Sequence, residues 1–388
     1  MILYVAAHGG PARESVPLGG GAAVFDHLVA EWTRTGVDFR TIVPKIAGRD
    51  LVRFSERQYA QFCREFEHDA TEEILRYDPA TTPVLCNDVS EGPDFEKLAA
   101  RGFRIATIYH VDVVAYVAEI YLRGWIAPET TVRWEKRLRS LMPPIMRLIW
   151  EKQEASVRHS RALIVPSDGM REVLLRCYPD CASKIHVLPW GSWNRFKPVS
   201  PDSLRAEYGV QPGDRVLLTL SRISPEKGQD LLLEALLDWD PHLWLFICGA
   251  PAFMQGEKFL AKLQRLASRL RNTRVIFPGH VTGDRKRAFF ALADLYIFPS
   301  RHESYGLTLL EALAAGLPAV CLDTAGARSV MRPEFGAVVD RSGLRPAIAK
   351  LLTDDPLRQK MSVAAREFAQ SQEFSATAHN LCALCERS

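Results

Sequence analysis

Two carboxylates with seven residues between them, Glu303 and Glu311, stand out in the segment PSRHESYGLTLLEALAAGLPAV (299–320). The pattern reads as a strand end, a helix and, past Gly316 and Pro318, the next strand. A 3.6-residue period puts Leu307, Leu310, Glu311 and Ala314 on one face of that helix, while Leu309, Ala312 and Leu313 cover much of the other. Glu311 is the only charged side chain between Glu303 and Asp323. A carboxylate on so apolar a helix needs a dedicated partner, because burying it alone is expensive. An Arg or Lys is the ordinary choice. The backbone N–H groups of Ser304, Tyr305, Gly306 and Leu307, in the first turn, offer a second kind of chemistry: a seat for an anion such as a sugar diphosphate.

Four further groupings invite the same reading. In SRISPEKGQDLLLEAL (221–236), Arg222 and Lys227 lie in the loop between a strand and a helix, where two cations can neutralise a diphosphate. Alone, they would be ordinary surface cations. In PLGGGAAVFDHLVAEW (17–32), the glycines, Gly20 and Gly21 among them, precede a helix and let backbone approach a ligand, though a plain tight turn would use the same residues. They do not form GxGxxG, which disfavours a nicotinamide dehydrogenase. TIYHVD (107–112) places His110 and Asp112 just after a strand, and GHV (279–281) places His280 and Val281 after another. A lone histidine in such a position is more often structural.

These groups need strand ends to hold them, and the chain supplies strand ends at regular intervals. Short apolar runs at 2–7, 39–44, 83–87, 104–110, 162–167 and 184–189 alternate with helical patterns. The proline- and turn-rich PWGSWNRFKPVSP (189–201) then interrupts the rhythm, which restarts at 215–221, 242–249, 274–279, 295–300, 318–323 and 336–340. Alternation of this kind predicts parallel β-α-β units, here two consecutive doubly wound α/β domains with ligands outside the carboxyl ends of their strands and a cleft where the domains face each other. The length of 388 residues is enough for two cores. A net charge of +3 implies no broad basic field, so a nucleic-acid partner is not expected. No apolar run approaches the roughly 18 residues of a membrane span, and the opening MILYVAAHGG reads as a first buried strand; a cytoplasmic location is the expectation. The eight cysteines fall mostly in strand-like runs, and the lone Cys382–Cys385 pair lacks the companions of a zinc site. Residues 121–161 interleave Arg123, Arg133, Lys136, Arg137, Arg139, Arg147 and Lys152 with Trp125, Trp134, Leu141, Met146 and Trp150. That is either a solvated helix face with snorkelling arginines or a patch for an anionic membrane surface.

Taken together, the 299–320 segment resembles glycosyltransferase family 4, whose pattern PS-x-x-E-x-x-G-L-x-x-L-E-A-x-A-x-G-x-P it reproduces, and the likeness extends over nearly the whole chain while being dense between Ser221 and Pro318. The resemblance implies a GT-B fold of two Rossmann-like domains: 1–193 for the acceptor, 194–370 for the nucleotide sugar, and 371–388 as a helix crossing back to the first. It implies a retaining glycosyltransferase using a UDP- or GDP-sugar, with no cofactor and no metal. Glu303 would touch donor sugar hydroxyls, Glu311 the ribose diol, Arg222 and Lys227 the diphosphate, His280 and Val281 the base, Gly20 and Gly21 phosphate or acceptor, and His110 the donor sugar. Asp112 would orient the acceptor. The acceptor would be a small molecule, a glycan or a lipid-linked sugar, the last consistent with contact at the inner face of a membrane through 121–161. The rivals are a GT-B epimerase or phosphorylase and a non-catalytic nucleotide-sugar-binding module. The sequence departs from the family at PWGSWNRFKP, where Asn-Gly-Val-Asp commonly precedes the Phe and Pro, and at GARSVM (326–331), which replaces a usual Gly-Gly and later Glu.

Overall fold

A computed structural model of the chain describes residues 1–9, 19–44, 54–116, 118, 125–139, 142–192, 197, 199–252 and 256–387. It divides into two units: Met1–Pro189 together with Ser375–Ser388, and Trp190–Phe374. Residues 10–18, which include the first part of the glycine segment, lie outside the described residues, as do 119–124, 140, 141 and 193–196.

Each of the twelve apolar runs is a strand. In the first unit they are β1 (Ile2–Val5), β2 (Phe39–Ile42), β3 (Val84–Cys86), β4 (Ile105–Ile108), β5 (Ala162–Val165) and β6 (Ile185–Val187). In the second they are β7 (Val216–Leu220), β8 (Leu243–Cys248), β9 (Thr273–Gly279), β10 (Leu295–Phe298), β11 (Ala319–Leu322) and β12 (Gly336–Val339). All the pairings are parallel. Strands β1, β4, β5, β10 and β11 are buried at every position, which is why they read as unbroken apolar runs: helices cover both faces of the sheet.

The strand orders decide where ligands can bind. The first sheet runs β2-β1-β3-β4-β5-β6, and the second runs β12-β11-β10-β7-β8-β9. The order reverses between β1 and β3 in the first sheet and between β7 and β10 in the second, and the crevice of an open α/β sheet opens at such a reversal, beyond the carboxyl ends of the strands. The second core packs Leu217, Leu245, Ile247, Leu295, Ile297 and Val320 of the sheet against helical residues such as Leu232 and Leu263.

The chain passes between the units at Pro189/Trp190 instead of at 193/194. Trp190 is buried, and its carbonyl accepts a hydrogen bond from the Tyr305 hydroxyl at 2.5 Å. Ser192 N–H donates to the Gln372 carbonyl, and a Cβ on Gly191 would lie 2.3 Å from Glu373 backbone. The start of the expected linker is therefore part of the second unit, tied to the segment that leaves it. Among the described residues no helix is long and apolar enough to cross a membrane, and the eight cysteines are free thiols.

Candidate functional site

Both loops at the reversal point of the second sheet carry the motif residues. After β7 come Ser221, Arg222, a single 3-10 turn Pro225–Lys227, and Gly228 in the left-handed region at φ 64°. After β10 come Pro299 to Glu303. The two loops interlock: a Cβ on Gly228 would sit 1.9 Å from the Pro299 carbonyl oxygen, and Arg301 N–H donates to the Glu226 carbonyl at 2.8 Å. Lys227 Nζ consequently meets Glu303 Oε2 at 2.7 Å, both side chains mostly buried. Arg222 lies 3.6 Å from the buried Glu226, and Gln229, wholly buried, holds the Arg222 carbonyl and the Ser221 hydroxyl through its amide. Gly249, after β8, presses on the same turn, since a Cβ there would lie 1.8 Å from the Ser221 carbonyl oxygen.

Glu311 sits on the helix Leu307–Ala314, whose cap, Gly306, has φ 96°. Leu309, Leu310, Ala312 and Leu313 are buried, while Leu307, Glu311 and Ala314 are only half-buried, so the acid lies on the more open face. Its partner is a cation. Lys286 Nζ lies 2.7 Å from Glu311 Oε1. Glu311 thus has the ordinary cationic partner that an acid on an apolar helix calls for. Lys286 comes from the first turn of the helix Gly283–Leu292, just past the loop holding His280 and the buried Val281. Sequence reading passed Lys286 over. Its only signal was a basic run, Arg285 to Arg287, placed directly after GHV.

Around the remaining motif positions, Ser304 and Tyr305 are buried, and the Tyr305 hydroxyl is turned to the Trp190 carbonyl, with burial pushing its pKa up. Only its backbone is left for a ligand. Gly326, the glycine that GARSVM keeps, backs the same loop: its N–H donates to the Glu303 carbonyl at 2.9 Å, and a Cβ would lie 2.6 Å from Tyr305 N. His280 is exposed, and partial burial followed by the nearby Lys286 charge lowers its pKa.

The first unit collects a second polar group at its own reversal point. His110, following β4, directs Nε2 at Asn87 Oδ1 (3.2 Å), and Asn87 also accepts from the Tyr4 hydroxyl at 2.7 Å. That oxygen is an acceptor only, so His110 carries its proton on Nε2. Burial pushes the imidazole down to about 4 against the opposing pull of Asp88 and Glu91, leaving it neutral at neutral pH. Gly20 and Gly21 open the helix Gly20–Thr35, and the Gly21 Cα faces the His110 ring, where a Cβ would lie 3.0 Å from it. Asp112 is buried and its Oδ1 accepts from Ala115 N–H, which makes it the cap of the short helix Val113–Tyr116. Sequence reading also missed His8, Asp88 and Glu91, whose ligand atoms all lie within 4.8 Å of one another. Among the described residues this trio has the donor set of a metal site. Here His8 Nε2 pairs with Glu91 Oε1 at 3.1 Å, and the Tyr59 hydroxyl also bonds that oxygen.

The basic and aromatic stretch divides. Trp150 and Lys152 are buried, the lysine donating to the Gly92 and Pro93 carbonyls and pairing with Glu67. Trp125, Arg133, Trp134 and Arg137 face solvent, Trp125 at 85% exposure.

Two six-stranded parallel sheets, each with helices on its faces, and charged loops at the reversal of the second make this a GT-B fold. The solved structure of sucrose-phosphate synthase from Thermosynechococcus elongatus is similar at a TM-score of 0.75, covering 99% of this chain and 97% of that one at 19% identity. Alr3699/HepE of Anabaena, solved with UDP and glucose, is similar at 0.68, covering 98% of both chains at 18% identity. Residues 201–368 match the family of glycosyl transferases group 1. The GDP-mannose-dependent alpha-(1-6)-phosphatidylinositol monomannoside mannosyltransferase of Mycolicibacterium smegmatis is 35% identical over 201 residues, 47% of this chain and 51% of that protein. The match spans about half the length of the curated relatives.

Proposed function

We propose that the chain is a retaining, metal-independent glycosyltransferase of family 4 that moves a hexosyl group from a UDP- or GDP-sugar to an acceptor hydroxyl. The observation carrying this reading is the interlocked pair of loops after β7 and β10, which brings Arg222 and Lys227 to the ligand end of the second sheet beside Glu303. The match of residues 201–368 to the family of glycosyl transferases group 1 and the 35% identity over 201 residues to a mannosyltransferase support it.

In this reading the bond between the anomeric carbon and the diphosphate oxygen breaks while Arg222, Lys227 and the backbone N–H groups of 304–307 take up the leaving charge, the role a metal ion would otherwise fill. The acceptor hydroxyl attacks from the same face, and its proton passes to the departing phosphate, so the anomeric configuration is kept. Glu303 bonds hydroxyls of the donor sugar. A carboxylate has about four lone-pair sites, so Glu311 can hold Lys286 and still accept two bonds from a ribose diol. His280 and Val281 meet the base. His110, neutral, is a hydrogen-bonding neighbour of the sugar, and Gly20 and Gly21 give backbone access beside it.

Calorimetric titration with UDP, GDP and ADP tests the donor site. Glu311→Ala is expected to weaken binding of the preferred nucleotide about tenfold or more; unchanged affinity removes the ribose assignment. With a hexosyl donor and an acceptor, the product keeps the donor's anomeric configuration, whereas sugar 1-phosphate formed when inorganic phosphate is supplied, or an epimerised sugar, would point to the rival GT-B chemistries.

The solvent-facing Trp125, Arg133, Trp134 and Arg137 favour a finer reading: contact with an anionic membrane surface at its cytoplasmic face and a lipid-linked acceptor. Co-sedimentation with vesicles containing anionic lipid, lost in Trp125→Ala/Trp134→Ala, checks it. No binding in the wild type ends that part of the proposal.

A further inference from the structure

Arg301 occupies one of the variable positions in PS-x-x-E, two residues before Glu303, and a cation there looks available for a ligand. Its bonds say otherwise. Arg301 Nη1 donates to Asp230 Oδ1 at 2.8 Å and to the Pro225 carbonyl at 2.6 Å, and Nη2 reaches Asp230 Oδ2 at 3.0 Å. Asp230 is nearly fully buried in the first turn of the helix that follows Gly228, and Lys262 Nζ binds the same carboxylate at 2.6 Å. Burial alone would push the Asp230 carboxyl up; the hydrogen bonds from Arg301 and Lys262 outweigh it and hold the group below its ordinary range. The fork is therefore a fixed, bidentate contact between charges.

What the fork joins gives it a purpose. On one side stands the loop that ends in Glu303. On the other, Pro225 and Asp230 bracket Lys227 from both directions along the chain. The guanidinium holds 225 and 230, and the Arg301 backbone N–H holds the Glu226 carbonyl between them, so the residue meets the segment around Lys227 at three places. We infer that Arg301 and Asp230 are positioning residues for the donor diphosphate, a clamp that sets the distance between Lys227 and Glu303 without touching the ligand. The inference rests on the donor reading above. Loops placed by such contacts lose affinity steeply when they drift, because a bound geometry held within a fraction of an ångström is what gives each charge its effect.

A structural prop and a diphosphate clamp differ in which ligands they affect. A prop that fails weakens every nucleotide alike, whereas a misplaced Lys227 harms the diphosphate and spares ligands that lack the second phosphate. Titrations of wild type, Arg301→Ala and Arg301→Lys with the preferred nucleoside diphosphate and its monophosphate separate these, circular dichroism and thermal melting confirming the fold of each variant. Arg301→Ala should lower diphosphate affinity about tenfold and leave the monophosphate within about twofold. Arg301→Lys keeps the charge but cannot span Asp230 and Pro225, and should fall between. If the alanine variant does not fold, the lysine variant carries the test. A folded variant with the wild-type ratio of the two affinities, or one in which both fall in parallel, overturns the clamp. A wild type that binds no nucleoside diphosphate overturns the donor reading and the clamp with it.

Discussion

At the scale of the residue, the cost of isolating a charge governs what is seen. A lone Glu311 on an apolar helix demanded a partner, and the fold supplies Lys286 from a different helix, 2.7 Å away. The demand was legible in the sequence; the identity of the partner was not, because it depends on how the loop after β9 folds onto the helix after β10. Removing the lysine strands a mostly buried carboxylate. Lys286→Ala should cost about 1–2 kcal/mol, and adding Glu311→Gln should cost less than the two changes summed, with a coupling of about 1 kcal/mol in urea unfolding. Additive costs would mean that the pair contributes nothing. His110 tests the same principle with a proton. Its folded pKa of about 4 lies below the unfolded value near 6.5, so the unfolded chain takes up the proton first as pH falls. The neutral imidazole costs nothing above pH 6.5, and stability is lost between 6.5 and 4, by up to about 3 kcal/mol. Urea unfolding of wild type and His110→Gln across that range should show a steeper decline in the wild type. Parallel curves would show that the imidazole is not desolvated.

At the scale of the element, strands were easy and loops were hard. A parallel strand covered on both faces is a short apolar run wherever it occurs, so twelve such runs announced the sheets. Which loops meet depends on strand order, and that order is set by packing far along the chain. The sequence shows KG and PSR seventy residues apart; only the placement of β7 beside β10 brings Gly228 against Pro299. Likewise Trp125 and Trp150 look alike in composition, yet one faces solvent and the other is buried. The contact at Gly228 yields a sharp expectation. Alanine there must adopt φ 64° and place a Cβ 1.9 Å from the Pro299 oxygen, so Gly228→Ala should cost on the order of 3 kcal/mol or more and separate Lys227 from Glu303. Thermal melting and nucleotide titration read both effects, and a variant with wild-type values for each would show that the loops have room to shift.

At the scale of the whole molecule, the chain does not assign one continuous stretch to each unit. The last helix, Phe374–Arg387, is separated in sequence from the first unit by all of the second, yet Ser375–Ser388 belong to the first. Trp32 donates its indole N–H to the Ala378 carbonyl at 3.1 Å, Arg104 bonds the Glu386 carbonyl at 2.8 Å, and the Thr377 hydroxyl bonds Pro189 at 2.9 Å. Ala378, Leu381 and Cys385 are buried there. This helix is thus part of the first unit's core, and a cavity in it should be felt in that unit. Leu381 is fully buried, so Leu381→Ala should cost roughly 2–5 kcal/mol. A nucleotide held by the second unit stabilises that unit in proportion to the logarithm of its concentration over its dissociation constant. Calorimetric melting with and without nucleotide therefore labels the two units: the transition that Leu381→Ala lowers should be the one that nucleotide raises least. If the substitution instead lowers the nucleotide-sensitive transition, the terminal helix stabilises the second unit and the assignment of Ser375–Ser388 to the first is wrong.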